Sequence, residues 1–590
     1  MKSSAMRSLA SPERRAAGSS IGWSARFWLL VLAAFLGWSL LEAEVRPAAL
    51  FSPEAISGVA RLVRGLLPPD LSPSFLVVVA GAMARTVAIA VAGTALAVVL
   101  AIPLGLLATP ALFRRRAPGG AVGGPGAAVL VLAHLGARGL LRIFRSVPDL
   151  LWALLFVVAV GLGPLAGTLA VGVSYGGVLG RVYADLLEEV DPGPAEALAA
   201  AGGGRAAIVL FALVPQALPG LLGYTLYSLE CAIRAASVLG FVGAGGIGQE
   251  LQLSMRLFEY GQVSTLLVAL FLLMAVGESA SRRLRRALGK QERGGRRPSA
   301  SRRAAAWVAG AAALLLAAWG AGFFEPSDAG MFRRMANFAA SLFPPDLSPR
   351  FLASLAVPLR QTLAVAGAGT LLGLLVGALL AVPASTTVML RAGNAPGTRG
   401  PGDWLRAGAY LGARGVLAVL RGIPELLWVL FCIVAVGFGP FAGVLALGLH
   451  TAGVLGKLWA EGLDEVPPGP GEVLEAAGAS GLSRATWAAW PQARGLVASY
   501  AVLRWEFNLR VSALVGFLGG GGLGLLLYNA LQLGFHERVC TLVGVIFVLV
   551  SLSDAISDRI RRSHLSSLRR PASGKLEARW TPRPGLEIAR

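Results

Sequence analysis

Charge is scarce in this sequence, and acidic charge scarcer still. Only 14% of the 590 residues are charged, against about 25% in a soluble globular protein. The acids number 32 against 53 lysines and arginines. With 55% hydrophobic residues, that scarcity excludes an ordinary soluble domain. Cysteine is nearly missing too. Cys231, Cys432 and Cys540 are an odd set without metal-ligand spacing. This excludes a disulfide framework or a cysteine-held metal and leaves small buried hydrophobes. No GxxxxGK[ST] loop is present, so the chain cannot energise work with nucleotide by that route. The net charge of +21 does not imply nucleic acid. The basic residues cluster between hydrophobic runs and at the ends, not along a phosphate-tracking groove.

Long apolar runs take the place of charge. Residues 150–173 and 266–276 are examples, and a membrane span needs roughly 20 apolar residues. The reading is an all-α polytopic membrane protein with the bilayer as its solvent.

The chain also contains itself twice. Pro68-Pro69-Asp70-Leu71-Ser72-Pro73 returns as Pro344-Pro345-Asp346-Leu347-Ser348-Pro349. Thr86 returns as Thr362, Pro215-Gln216 as Pro491-Gln492, and Gly245-Gly246 as Gly521-Gly522. Each pair stands 276 positions apart (344 − 68). That period is too long for a solenoid unit, so a whole domain is duplicated, its copies facing each other across a pseudo-two-fold axis.

Arginines orient the spans. Residues 1–26 carry Lys2, Arg7, Arg14, Arg15 and Arg26, a cytoplasmic N-terminus. The first run, 27–41, reads as an uncleaved span rather than a signal peptide, because Glu42 and Glu44 make a poor cleavage region. Further spans are expected at 75–107, 148–160, 165–183, 208–229 and 263–276. The loop from Arg114, Arg115 and Arg116 to Arg145 holds six arginines and no acid, so it is cytoplasmic; its Gly-rich middle, 119–132, is a reentrant or surface segment and not a span. Six spans per copy make a parallel repeat. The expected division is 1–26 basic N-terminus, 27–283 first repeat, 284–303 basic cytoplasmic linker, 304–562 second repeat and 563–590 cytoplasmic tail.

One charged interruption recurs between spans. The first copy reads Asp191-Pro-Gly-Pro-Ala-Glu196-Ala197-Leu198-Ala-Ala200-Ala-Gly202, and the second Pro467-Pro-Gly-Pro-Gly-Glu472-Val473-Leu474-Glu475-Ala476-Ala-Gly478. Pro-Gly-Pro breaks the incoming helix, and a short helix restarts with an acid in its first turn, where the dipole favours it. The glycine ends or bends that helix. Such an element is either an interfacial linker or a helix that docks into a groove on a soluble partner. Its recurrence at matched positions favours docking.

These residues resemble the coupling loop of ATP-binding-cassette importer permeases. The text around them narrows the resemblance to the phosphonate permease family. It includes Arg145-Ser-Val-Pro-Asp-Leu-Leu-Trp, Glu188-Glu-Val-Asp-Pro-Gly-Pro, Ser237-Val-Leu-Gly-Phe-Val-Gly-Ala-Gly-Gly-Ile-Gly248, Arg421-Gly-Ile-Pro-Glu-Leu-Leu-Trp and Gly519-Gly-Gly-Gly-Leu-Gly524. The resemblance spans nearly all of both halves. It implies a fused pair of type I importer permease domains in a bacterial inner membrane, both termini cytoplasmic. It also implies cytoplasmic ATPase subunits, two copies, that dock at both short helices and bind all the ATP, and an extracytoplasmic solute-binding protein. No cofactor, metal or catalytic residue is expected in this chain. The copies depart from one another at Val473, where the motif has alanine, and at Arg205 and Gly481, so the two docking helices need not grip their ATPases equally.

Two further sets repeat. Glu230 and Arg234 share a helix face, and Glu506 and Arg510 repeat them. Charges inside an apolar span are functional candidates by default. Arg234 and Arg510 near the two-fold axis would suit a phosphonate, since guanidinium matches its oxygens in bidentate fashion; the alternative is a self-satisfied ion pair that pins the helix. Gly243, Gly245 and Gly246, with Gly519, Gly521 and Gly522, match a dinucleotide GxGxxG pattern, but that reading needs a strand before it within a βαβ unit, and here a membrane helix precedes it. Close helix approach or a gate at the outer mouth fits glycine better. His450 stands opposite Ser174 and reads as a satisfied bundle-lining group. Arg181 and Lys457 read as snorkelling. The rival function is a self-sufficient secondary transporter of two six-span halves, with Glu230 and Glu506 coupling to protons.

Overall fold

The computed structural model describes residues 23–109, 125–292, 299–324, 330–389, 401–467 and 469–568. The basic residues before Trp23, Arg114 to Arg116, the centre of the linker and the tail beyond residue 568 lie outside the described residues.

The first copy runs α1 (Trp23–Glu42), α2 (Pro53–Gly65), α3 (Pro73–Ala108), α4 (Pro125–Ser146), α5 (Asp149–Val160), α6 (Pro164–Glu189), α7 (Gly193–Ala200), α8 (Val214–Leu239), α9 (Ile247–Arg256) and α10 (Tyr260–Glu292). The second runs α11 (Ala300–Gly320), α12 (Met331–Ser341), α13 (Ala356–Ala384), α14 (Pro401–Gly422), α15 (Glu425–Val436), α16 (Pro440–Asp464), α17 (Gly469–Ala476), α18 (Trp490–Val515), α19 (Gly522–Gln532) and α20 (His536–Leu568). No strand occurs among the described residues. In hydrocarbon only a helix satisfies its own backbone within one segment, and these runs are apolar on nearly every face.

Seven of the described helices are long and apolar enough to cross a membrane, and up to ten spans result if each sharply bent pair counts as one. The third expected span, 148–160, is one arm of such a pair. Helix α4 meets α5 at 92°, and α14 meets α15 at 98°. A proline cannot continue the helix and pushes its predecessor out of helical geometry, so Pro148 and Pro424 make the elbows. Trp152 Nε1 donates back across the first elbow to the Phe144 carbonyl at 3.2 Å. Trp428 repeats this with Leu420 at 3.1 Å, which occupies carbonyls the bend leaves open. At 12 residues, α5 is about 18 Å long, well short of the hydrocarbon core of about 30 Å.

Small residues set the core spacing. In α3 against α6, a Cβ on Gly93 would lie 2.7 Å from the Val171 Cβ; in α13 against α16, one on Gly369 would lie 2.9 Å from that of Leu447. Lipid-embedded helices gain little by hiding apolar surface from one another, so close backbone approach does the holding.

The halves exchange their first helices. Helix α1 packs on α13 of the second copy, and α11 on α3 of the first. Helices α2 and α12 cross likewise, onto α15 and α5. A Cβ on Gly367 would lie 3.1 Å from that of Ser39, and one on Gly320 3.1 Å from that of Ala88. Arg360 Nε reaches Glu42 Oε1 across the halves at 3.4 Å. The largest buried cluster accordingly mixes both copies, including Leu150, Leu154, Leu427, Phe431 and Phe517.

Ser39→Cys with Gly367→Cys, in a chain whose own three cysteines are replaced by alanine, is expected to form a disulfide on mild oxidation. After proteolysis at a site inserted in the linker, the halves should stay joined without reductant and separate with it. Separation under both conditions would mean the exchange is wrong.

Candidate functional site

Both short helices after the fourth span are where the Pro-Gly-Pro breaks place them. Glu196, Ala197 and Ala200 of α7 are exposed, while Ala195 is buried against Leu187, Ile208 and Leu213. On α17, Glu472 and Ala476 are exposed, and so is Val473. Each helix ends on a left-handed glycine, Gly202 at φ +81° and Gly478 at φ +77°. Nothing lies within 4 Å of a Cβ at either position, so backbone conformation, not space, calls for glycine there. The two helices are braced differently. The carboxylate of Glu475 receives the buried guanidinium of Arg484; the first copy has Ala199 and Ile208 at those positions and no such ion pair.

The Pro-Gln pairs follow a single π-turn in each copy, Val209–Leu213 and Ala485–Ala489. The Val214 N–H donates to the Val209 carbonyl, five residues back. Pro215 has no N–H to give, and the Gln216 side-chain amide instead donates to the Ala212 carbonyl at 2.7 Å. Gln492 repeats this with Ala488 at 2.8 Å.

At the opposite end of α8 the glycines make a tight left-handed loop. Gly243, Gly245 and Gly246 have φ of +90°, +82° and +77°, and Gly519, Gly521 and Gly522 have +100°, +76° and +73°. The duplicated threonines anchor these loops. Thr86 Oγ1 accepts the Ile247 N–H at 2.9 Å, and Thr362 Oγ1 accepts that of Leu523 at 2.9 Å. A Cβ on Gly246 would lie 2.6 Å from the Thr86 hydroxyl. Each loop also takes the turn before α6 or α16: the Gly163 N–H donates to Gly243 O at 2.9 Å, and Gly439 to Gly519 at 3.1 Å. A helix precedes each loop where a dinucleotide site needs a strand.

The expected charge pairs separate into two arrangements. Glu230 does not take Arg234; it lies 3.5 Å from Arg285 of α10. Among the described residues Arg234 has no ion-pair partner, and it is exposed. Arg510 lies 4.0 Å from Glu506 and 3.4 Å from Asp554 of α20. The self-satisfied pair is therefore found in the second copy and not in the first. His450 is buried, with Nδ1 donating to the Ile423 carbonyl at 3.1 Å and Nε2 3.7 Å from Glu425. Arg181 and Lys457, expected to snorkel, are paired one turn along with Asp185 at 3.0 Å and Glu461 at 3.6 Å.

A family model described as the inner membrane component of binding-protein-dependent transport systems matches residues 134–293 and, again, 406–564. The chain belongs to that family. It is 31% identical over 526 residues to the phosphate-import permease protein PhnE of Mycolicibacterium smegmatis, covering 87% of this chain and 90% of that one. It is 35% identical over 250 residues to the phosphite transport system permease protein PtxC of Stutzerimonas stutzeri, covering 42% of this chain and 85% of that one. Among solved structures, a chain of the MetNI methionine ABC transporter aligns with a TM-score of 0.32 at 24% identity, over 37% of this permease and 99% of that chain.

This permease is thus a multi-pass inner-membrane subunit of an ATP-binding-cassette importer, a class that works with an ATPase and a binding protein. Sequence reasoning passed over its seam acids. Asp149 and Glu425 start α5 and α15 at matched positions of the two copies. Glu278 and Asp554 stand at matched positions on α10 and α20. The 276-residue offset, applied to every acid, would have found both pairs.

Thr86→Val keeps the side-chain shape and orphans the buried Ile247 N–H. A buried unsatisfied donor costs about 1–3 kcal/mol, so thermal unfolding of the purified permease should shift down. Thr362→Val should do the same, and the double variant should show both losses added. Unchanged unfolding in both variants would show that the hydroxyls do not anchor the loops.

Proposed function

We propose that this permease carries a phosphorus oxyanion (phosphonate, phosphite or phosphate) inward by alternating access. The energy comes from two ATPase subunits that dock on α7 and α17. The observation that carries this reading is the pair of exposed eight-residue helices, each with an acid in its first turn and a left-handed glycine at its end. They leave a smooth small-residue face around Glu196, Ala197 and Ala200, and around Glu472 and Ala476, that suits a groove on a soluble partner. The named relatives, permeases for phosphate and phosphite import, support the solute class.

In this reading the linker and both termini face the cytoplasm, and 27–283 and 304–562 are the two permease repeats. The glycine loops at Gly243, Gly245 and Gly246 and at Gly519, Gly521 and Gly522 form the outer gate, where a binding protein delivers solute. Glu230, Arg234, Glu506 and Arg510 line the path. The chain itself binds no ATP and carries out no covalent chemistry. The proton-coupled alternative is the weaker reading. Glu230 and Glu506 each compensate an arginine, so a proton taken up there would leave that arginine's charge uncompensated at a cost.

Glu196→Arg with Glu472→Arg is expected to abolish co-purification of the ATPase and ATP-driven uptake in proteoliposomes. Uptake that persists in this variant and follows a proton gradient would overturn the importer reading. The Glu475–Arg484 brace in the second copy alone predicts unequal single effects, so Glu196→Arg and Glu472→Arg should differ in residual ATPase rate. Equal rates would mean that the two docking helices are equivalent.

A further inference from the structure

The seam between the halves holds two pseudo-symmetric sets of four charges. One set is Arg234, Glu230 and Glu278 of the first half with Arg421 of the second. The other is Arg510, Glu506 and Asp554 of the second half with Arg145 of the first. Position for position they are the same site, each member 276 residues from its counterpart.

They are in opposite states. In the first set both acids are occupied by arginines of their own half: Glu230 lies beside Arg285 at 3.5 Å, and Glu278 is paired with Arg282 one turn along α10. The side chains of Arg234 and Arg421 are left, among the described residues, with no ion-pair or hydrogen-bond partner. They line one cavity of about 170 Å³, whose wall also includes Phe271, Ala418 and the two acids Glu230 and Glu278, each acid already held by its own arginine. One water needs roughly 10–15 Å³ by the same kind of measure. In the second set Asp554 lies 3.4 Å from Arg510 and 3.8 Å from Arg145, across the seam, and Glu506 adds a contact to Arg510 at 4.0 Å.

One charge is reversed between the two copies here. At the position of Arg282, the second copy has Asp558. Asp554 therefore has an acid instead of a base one turn along its own helix, and it turns to the seam arginines. In the first copy Arg282 holds Glu278 and Arg285 holds Glu230, and Arg234 and Arg421 are left without an ion pair among the described residues. Uncompensated charge inside a bilayer is costly, and two guanidiniums around one cavity match an anion with several oxygens.

We propose that Arg234 and Arg421 form a single tetrahedral-oxyanion site off the pseudo-two-fold axis, and that Asp554 keeps its mate at Arg510 and Arg145 closed. This rests on the importer reading and adds to it a place and a stoichiometry.

The test uses the purified full chain and radiolabelled inorganic phosphate, with methylphosphonate and phosphite as competitors. One phosphate per chain is expected. Arg234→Gln and Arg421→Gln should each weaken binding about 10- to 100-fold, the worth of a lost hydrogen bond to a charged group. Arg145→Gln should change it less than about twofold, as for an exposed ion pair. Asp554→Asn should raise the stoichiometry towards two. To guard against misfolded variants, Ala418→Cys in the cysteine-replaced chain should react with a thiol reagent more slowly when phosphate is present. Equal loss in the Arg145 and Arg421 variants, no second site in Asp554→Asn, or no protection of the introduced thiol would each overturn the proposal. In reconstituted complexes, ATP-driven phosphate uptake that survives Arg234→Gln with Arg421→Gln sinks the site and leaves the importer reading standing. No ATP-driven uptake by the unaltered complex sinks the importer reading itself, while the binding assay still judges the site.

Discussion

The constraint on which this molecule depends is that lipid offers helices little reason to associate. Burying a leucine against another helix gains little over burying it against an acyl chain, so close backbone approach and specific contacts must hold the bundle. Glycine and alanine let α3 lie on α6 and α13 on α16. The exchange of α1 and α11 between the halves extends the same device across the seam, because each crossing helix lies on small residues of the other copy. A fused chain therefore holds its dimer-like interface by interlocking as well as by the linker.

Duplication then supplies every local device twice and leaves small substitutions to separate the copies. The elbows with their tryptophan braces, the π-turns before the Pro-Gln pairs and the threonine-anchored glycine loops are alike in both halves. The docking helices and the seam charges are not. Arg484 against Glu475 braces the short helix α17 and has no counterpart at α7. Asp558 stands where the first copy has Arg282, and Asp554 pairs with Arg510 and, across the seam, with Arg145. Each is a change of one or two residues with a large local effect, because a charge in a low-dielectric interior must find a partner.

These asymmetries bear on how such a machine could work. Two equivalent halves rocking about an axis would place a solute on that axis. Here the charged groups nearest the seam are balanced on one side and unbalanced on the other. Arg282 and Asp558, the two positions that differ in charge, lie one helical turn from Glu278 and Asp554. The glycine loops sit at the far end of α8 and α18 from the docking helices. A motion begun at α7 or α17 therefore has to travel the length of those helices, past the seam arginines, to reach the loops.

The sequence by itself determined the membrane class, the duplication, the short helices after the Pro-Gly-Pro breaks and the glycine turns. All are local: they follow from run length, from an offset repeated without a gap, and from what proline and glycine permit the backbone. The elbow at Pro148 was half legible, since proline marks the break but not its angle. Only the tertiary structure decided the exchange of first helices, because an apolar helix carries no mark of which copy it packs against. Only it decided the partners of the charges, too. The four-residue spacing of Glu230 and Arg234 makes contact available, but Arg285 approaches from α10 and takes the glutamate. Which of several possible partners wins depends on distances between helices, and those are set by packing far from the residues concerned.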